Sequence, residues 1–220
     1  SNAVLVAAPG AGKTTRVPPA LLSCGWLGEK RILVLEPRRL AARSAAIHVA
    51  SLLGEPVGRM VGYRVRHETK VSNETRIEFI TSGIFTRMIV DDPELSGVGA
   101  ILFDEFHERS LDNDLGLALA LDSQKALRPD LRLLPMSATL DGARVAELLE
   151  DAPVIESEGR SYPVEMAYRP RRADEPLDQA MTSAIRQAVR EDNGGLLCFL
   201  PGQADIHRVH DRLKQSPGLP

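Results

Sequence analysis

The sequence predicts an α/β fold, a mostly parallel central sheet with flanking helices. Short apolar runs of strand length, rich in Val, Ile and Leu, recur at residues 4–7, 31–35 and 99–103. Helix-length segments lie between them, and parallel neighbours are reached only through such crossovers. Each run also empties into a loop of glycines, hydroxyls or charges: GAGKTT after the first, EPRR after the second and DEFH after the third. In open α/β sheets the loops beyond the carboxyl ends of the strands form the ligand-binding edge.

A chain of 220 residues holds one large domain, or one domain and part of another. With 43% apolar and 26% charged residues and a net charge of −3, its overall field does not attract polyanions. Any polyanion site must therefore be a local cluster of Arg or Lys. Cys24 and Cys198 lie far apart without C-x-x-C spacing, which argues against a metal site and fits a reducing, cytoplasmic compartment. No apolar run approaches the ~18 residues of a membrane span. Ser1, Asn2 and Ala3 read as an expression scar, with an upstream segment cut away.

Taken in order, the first strand covers 4–7 and the first helix 16–22, with Pro18 and Pro19 in its opening turn or just before it. A strand at 31–35 stops at Glu36-Pro37, and a helix at 40–53 ends at Gly54. Residues 60–68 alternate as a half-exposed strand would, and a turn at 72–75 leads to a second run at 76–80. Thr81-Ser82-Gly83 caps a helix over 84–90, the strand at 99–103 follows, and 109–127 is mostly helical up to Pro129. A strand at 131–134, a loop at 135–139 and a closing strand at 154–156 complete the domain, residues 4–157. Residues 158–176 are turn-rich and charged, as a linker is. Beyond them, Leu177, Ala180, Met181, Ala184, Ile185, Ala188 and Val189 fall at helical spacing, and Gly194-Gly195 stops that helix. A strand at 196–200 and a helix at 203–213 then open a second domain, residues 177–220, too small for a core of its own and cut off by the end of the chain.

The chemistry concentrates in the loops. Pro9, Gly10, Ala11, Gly12, Lys13, Thr14 and Thr15 form a phosphate cradle: glycines turn backbone N–H groups onto an anion, and the following helix presents its positive end. Lys13 reaches the outer phosphates and the Thr14 hydroxyl binds Mg²⁺. The pattern G-x-x-x-x-G-K-[ST] is missed only at its first glycine, where Ala7 stands. Asp104 and Glu105, adjacent carboxylates at the end of an apolar strand, complete the metal set with Thr14, and Glu105 orients and deprotonates the attacking water. Arg38 and Arg39 stand at the same sheet edge, as do the hydroxyls of Ser137 and Thr139, a weak signal taken singly.

AAPGAGKTT, LEPRRLAAR, VGYRVRHE, TSG, DEFH and SAT, in this order, resemble the first RecA-like lobe of the DEAH-box ATP-dependent RNA helicases, and FLPGQADI is similar to that family's first motif in the second lobe. The resemblance implies a RecA-like P-loop NTPase lobe followed by a truncated second one. It implies ATP with Mg²⁺ on residues 9–15, Asp104 and Glu105, and coupling of nucleotide state to lobe movement by His107, Ser137 and Thr139. It further implies that Arg38, Arg39, Thr81, Ser82 and Gly83 grip the backbone of single-stranded RNA, with DNA left open. Three departures stand out. Phe106 replaces a small residue without touching either carboxylate. His48 occupies the position where relatives place an Arg that stacks on the nucleotide base. The motifs that supply arginine fingers are expected past Pro220, so the chain alone is expected to turn over slowly and to leave open strand edges able to pair with another chain. Two other readings remain open: a catalytically silent nucleic-acid-binding or scaffold protein, and a phosphate-loop kinase or small-molecule ATPase.

Overall fold

The computed structural model describes residues 2–138, 142–157 and 163–215. The chain divides into two units, Ser1–Ser161 and Tyr162–Pro220. The first holds an eight-stranded sheet built from β1 (Val4–Ala7), β2 (Arg31–Glu36), β3 (Val61–Val65), β4 (Glu68–Lys70), β5 (Ile77–Thr81), β6 (Val98–Phe103), β7 (Arg132–Ser137) and β8 (Val154–Ser157). Their order across the sheet is β4-β3-β5-β2-β6-β7-β1-β8, and every neighbouring pair is parallel except β3 with β4. All the parallel strands therefore end at one edge, and the motif loops gather there.

Alternation along the strands sorts the core into two layers. Ile32 and Val34 of β2, with Ala100 and Leu102 of β6, pack toward α2 (Arg39–Leu52) and α1 (Lys13–Leu22). Leu33, Leu35, Ile101 and Phe103 face α3 (Ser82–Asp91), α4 (Leu111–Ala126) and α5 (Gly142–Leu148) on the other side. Because both faces are covered, the central strands read as continuous apolar runs in the sequence.

Several expectations are corrected. Helix α1 starts at Lys13, three residues before the expected start, so Pro18 and Pro19 lie inside it. Gly12, at φ 91°, starts the helix straight from the loop, its carbonyl accepting from the N–H groups of Thr15 and Arg16. The phosphate loop, rather than the prolines, sets where the helix begins. Within residues 60–68 the alternation holds, with Val61, Tyr63 and Val65 of β3 packed toward α2 and Arg64 partly exposed on the other face, but the segment also turns into a hairpin with β4. Gly62 permits this: a Cβ there would lie 2.4 Å from the Lys70 carbonyl oxygen. Strand β7 runs on through Pro135 to Ser137, since β6 pairs with it as far as Pro135 and β1 takes over at Met136 and Ser137. Asn2, read as part of a scar, docks on Gln124 and accepts from the Leu133 N–H at 3.0 Å.

In the second unit α6 (Leu177–Glu191) packs against α7 (Gln203–Lys214), with Val209 buried and Asp178 paired to Arg212. The expected strand at 196–200 joins no ladder, and Leu197 and Phe199 are exposed. Among the described residues of this unit no other strand exists for it to pair with, and an apolar run alone does not make a sheet.

Candidate functional site

The loop after β1 is shaped by Gly10 (φ 79°) and Gly12 (φ 91°), backbone conformations that other residues rarely adopt. The N–H groups of Lys13 and Thr14, in the first turn of α1, are those a helix leaves without intrahelical acceptors. Together with Pro9, Gly10 and Glu105 they line a cavity of about 240 Å³. Lys13 is buried, and its ammonium donates to the Ala7 carbonyl at 2.6 Å and to Ala8 at 3.4 Å. Its charge is thus folded back over the loop at whose helix end an anion would sit. Ala11 donates its N–H to the Ala8 carbonyl at 3.1 Å, which closes the loop, and Thr15 continues the cavity wall.

Asp104 leaves the end of β6 fully buried. Its Oδ2 accepts from the Thr14 hydroxyl, and its Oδ1 accepts from the Glu105 N–H at 2.9 Å. This contact spans the phosphate loop and β6 although β7 lies between β1 and β6 in the sheet. Glu105 holds a left-handed backbone (φ 48°) and begins the 3₁₀ turn Phe106–Glu108. It lines the phosphate-loop cavity and also a neighbouring one of about 290 Å³ bounded by Glu36, Ala41, Ala45 and Glu108. His107 bridges two loops: its Nε2 lies 3.4 Å from Glu105 Oε2, and its Nδ1 accepts from the Ala138 N–H at 3.3 Å. The link from His107 to the loop after β7 thus runs through the Ala138 backbone. Ser137 is buried at the end of β7, and Thr139 lies outside the described residues.

The other expected residues spread along the same edge. Arg38 is exposed and paired with Glu108 at 3.0 Å, which ties the loop after β2 to the loop after β6. Arg39, also exposed, begins α2. Thr81 is the N-cap of α3 and pairs in register with Glu36, Ser82 is buried, and Gly83 is exposed. His48 is exposed on α2 and continues the stripe of Ala41 and Ala45 beyond the second cavity. Phe106 is buried edge-on against Phe103, 6.2 Å between ring centroids, and Phe103 likewise against Phe85 of α3 at 6.1 Å. The Arg109 guanidinium covers the Phe106 ring at 5.7 Å.

Two residues escape a reading of the sequence. Glu36 is buried beside Asp104, and burial, then the Asp104 charge and the hydrogen bond between the two groups, push its carboxyl up to about 9. The run ILVLEP reads as a strand stopped by Glu-Pro; that the Glu meets Asp104 depends on β2 and β6 being neighbours, which spacing does not disclose. Holding a proton that the unfolded chain releases near 4.5, Glu36 stabilises the fold fully below that pH, and the contribution is lost as pH rises toward about 9. In metal-free buffer, Glu36→Gln is expected to remove a stability slope approaching ~1.4 kcal/mol per pH unit and to be more stable than the parent at pH 8. Urea unfolding at several pH values, read as variant minus parent, checks it; a constant difference across the range would refute it.

The second is Asn113 of α4. Its backbone N–H donates to the N-cap Ser110 hydroxyl at 3.2 Å, and its side-chain oxygen accepts from the Ser82 hydroxyl of α3. The amide is fully buried, and its Nδ2 has no hydrogen-bond partner among the described residues. Leaving such a donor unmade costs about 1–3 kcal/mol.

Comparison with known proteins agrees with this geometry. Residues 1–148 match the family model described as DEAD/DEAH box helicase. The ATP-dependent RNA helicase HrpB of Escherichia coli (strain K12) is 52% identical over 216 residues, 98% of this chain and 27% of that protein. An ATP-dependent RNA helicase HrpA homolog of Haemophilus influenzae is 36% identical over 97% of this chain and 16% of its own length. The crystal structure of the Escherichia coli DEAH/RHA helicase HrpB superposes with a TM-score of 0.88 at 50% identity, covering 99% of this chain and 28% of that one. The chain thus spans 27% of the length of HrpB and 16% of that of the HrpA homolog. A family model that matches most of the chain, and a parallel sheet whose edge carries the phosphate loop and its paired carboxylates, give one conclusion: the chain belongs to the DEAD/DEAH box helicase family.

Proposed function

We propose that this chain is the nucleotide-binding lobe of an ATP-dependent RNA helicase, residues 4–157, joined by residues 158–176 to the beginning of a second lobe at 177–220, and that it works in the bacterial cytoplasm. The observation that carries the reading is the Thr14–Asp104 contact, which brings the two halves of a nucleotide-hydrolysis site together across the sheet edge. The residues suit Mg²⁺: a hydroxyl and a carboxylate oxygen in contact beside a phosphate cradle leave most of the coordination to water and phosphates, as this ion prefers. Magnesium bound there would offset the charge of the outer phosphates of ATP. Pro9, Gly10, Ala11, Gly12 and Thr15 shape the cradle, Lys13 supplies the cation, and Thr14 and Asp104, with Glu105 beside them, hold the metal.

Glu105 accepts a proton from the attacking water, and His107 ties it through the Ala138 N–H to the Ser137-Ala138-Thr139 sequence. His48 offers an imidazole face to the base. Arg38, Arg39 and the Thr81-Ser82-Gly83 segment hold the polynucleotide backbone, and the Arg38–Glu108 pair connects that grip to the Asp104–Glu108 loop. Among the described residues no helix is long and apolar enough to cross a membrane. The test is Mg²⁺-dependent ATP hydrolysis by the whole protein, alone and with single-stranded RNA or DNA. Stimulation by RNA is the expected result. Hydrolysis indifferent to polynucleotide would indicate a small-molecule ATPase, and binding of RNA without hydrolysis would indicate a silent scaffold.

A further inference from the structure

We infer that Asn113 is a positioning residue for the polynucleotide-binding end of α3, acting through Ser82, and that this site requires a side chain with one acceptor and one donor. The inference rests on the reading above that Thr81, Ser82 and Gly83 contact a polynucleotide backbone.

Asn113 is placed by its own helix cap. Ser110 caps α4 immediately after the Asp104–Arg109 loop, and Asn113 donates its backbone N–H to that cap, so its position follows the nucleotide-facing loop. Its side chain then crosses to the first residue of α3. The two helices are held in close register beside it: a Cβ on Gly116 would come within 3.2 Å of the Phe85 ring, and Phe85 continues through Phe103 to Phe106. A displacement of the Phe106 loop therefore reaches the start of α3 by two routes, one aromatic and one polar.

The polar route has a direction. Ser82 commits its hydroxyl hydrogen to Asn113 Oδ1, which leaves Asn113 Nδ2, a fully buried donor, without a partner among the described residues. The first turn of α3 has N–H groups without intrahelical acceptors, and a phosphate oxygen arriving there competes for the Ser82 hydrogen. Once Ser82 donates outward, its lone pairs face Asn113, and only a donor can meet them. A half-turn of the amide brings Nδ2 to that place. Asn serves both states, the free state through Oδ1 and the bound state through Nδ2. The orphaned donor is what the free state leaves over.

The test compares the parent chain with Asn113→Leu, a side chain of the same branched outline with neither donor nor acceptor. The variant removes the unpaired Nδ2 donor but leaves the buried Ser82 hydroxyl without its acceptor, so the two effects offset and its melting temperature is expected within a few degrees of the parent. It is also expected to bind a short oligouridine about 10-fold more weakly while retaining Mg²⁺·ADP affinity within about twofold. Unchanged oligouridine binding overturns the assignment, as does weaker binding accompanied by an equal loss of Mg²⁺·ADP affinity, since that would be a structural role. The parent gives a second reading that needs no variant: the Asn113 side-chain amide resonances are expected to shift on titration with oligouridine, and signals unmoved at saturation overturn the inference. A parent that binds no oligouridine at all overturns the polynucleotide reading itself, and the assignment with it, an outcome distinct from binding that ignores Asn113.

Discussion

Replacing Glu105 by glutamine is expected to lower single-turnover ATP hydrolysis in the presence of RNA by about 10²- to 10⁴-fold while Mg²⁺·nucleotide binding stays within a few-fold of the parent. The magnitude is that of removing a general base from a reaction whose other groups remain in place. The geometry supports a selective loss. Glu105 borders the phosphate-loop cavity with its side chain, but its contact to Asp104 is made by its backbone N–H at 2.9 Å, which glutamine keeps. The amide still reaches His107, so the link to Ala138 need not break. A variant retaining more than about a tenth of the parent rate would remove Glu105 from the chemistry and leave it a wall of the cavity.

Lys13→Ala should act on the earlier step. The ammonium is buried and turned toward the carbonyl oxygens of Ala7 and Ala8, neutral acceptors that a phosphate oxygen outcompetes. Losing a buried charge-assisted contact costs about 2–5 kcal/mol, or roughly 30- to several-thousand-fold in affinity. The ligand-free chain should not melt lower, because the substitution also removes a desolvated ammonium. Calorimetric titration with Mg²⁺·ADP, paired with a melting curve of the free chain, separates lost binding from lost fold. Affinity within threefold of the parent would mean that the loop holds phosphate by backbone alone.

Glu105 and Lys13 are legible in the sequence because local spacing fixes what they need: Lys13 must follow a glycine turn, and Glu105 must follow a buried strand. The apolar runs of β2 and β6 are legible for the same reason, both faces being covered. Legibility fails where a neighbour in space decides. Glu36 looks like a strand terminator until β6 is known to lie beside it. Asn113 is an ordinary polar position of a helix until α3 is packed on α4. Residues 60–68 alternate as the half-exposed strand they form, but the need for Gly62 is hidden until the hairpin brings the Lys70 carbonyl against it. Pro18 and Pro19 argue for a later helix start, but the phosphate loop fixes the start at Gly12 and the helix carries both. The run at 196–200 has every local property of a strand and joins no ladder, since pairing belongs to two segments and sequence periodicity to one.

The penultimate place of β1 in the sheet has a mechanical side. Its outer neighbour β8 is four residues long and exposed throughout, and the chain runs on from β8 toward the second unit. The two strands are parallel, with Val4 opposite Val154 and Ala7 opposite Ser157. The Ala7–Ser157 rung is also the one from which the phosphate loop springs, and its Ala7 carbonyl accepts from the Lys13 ammonium. One short, exposed strand separates the strand that carries the cradle from the edge of the sheet, so fraying of β8 would reach the cradle before any central strand.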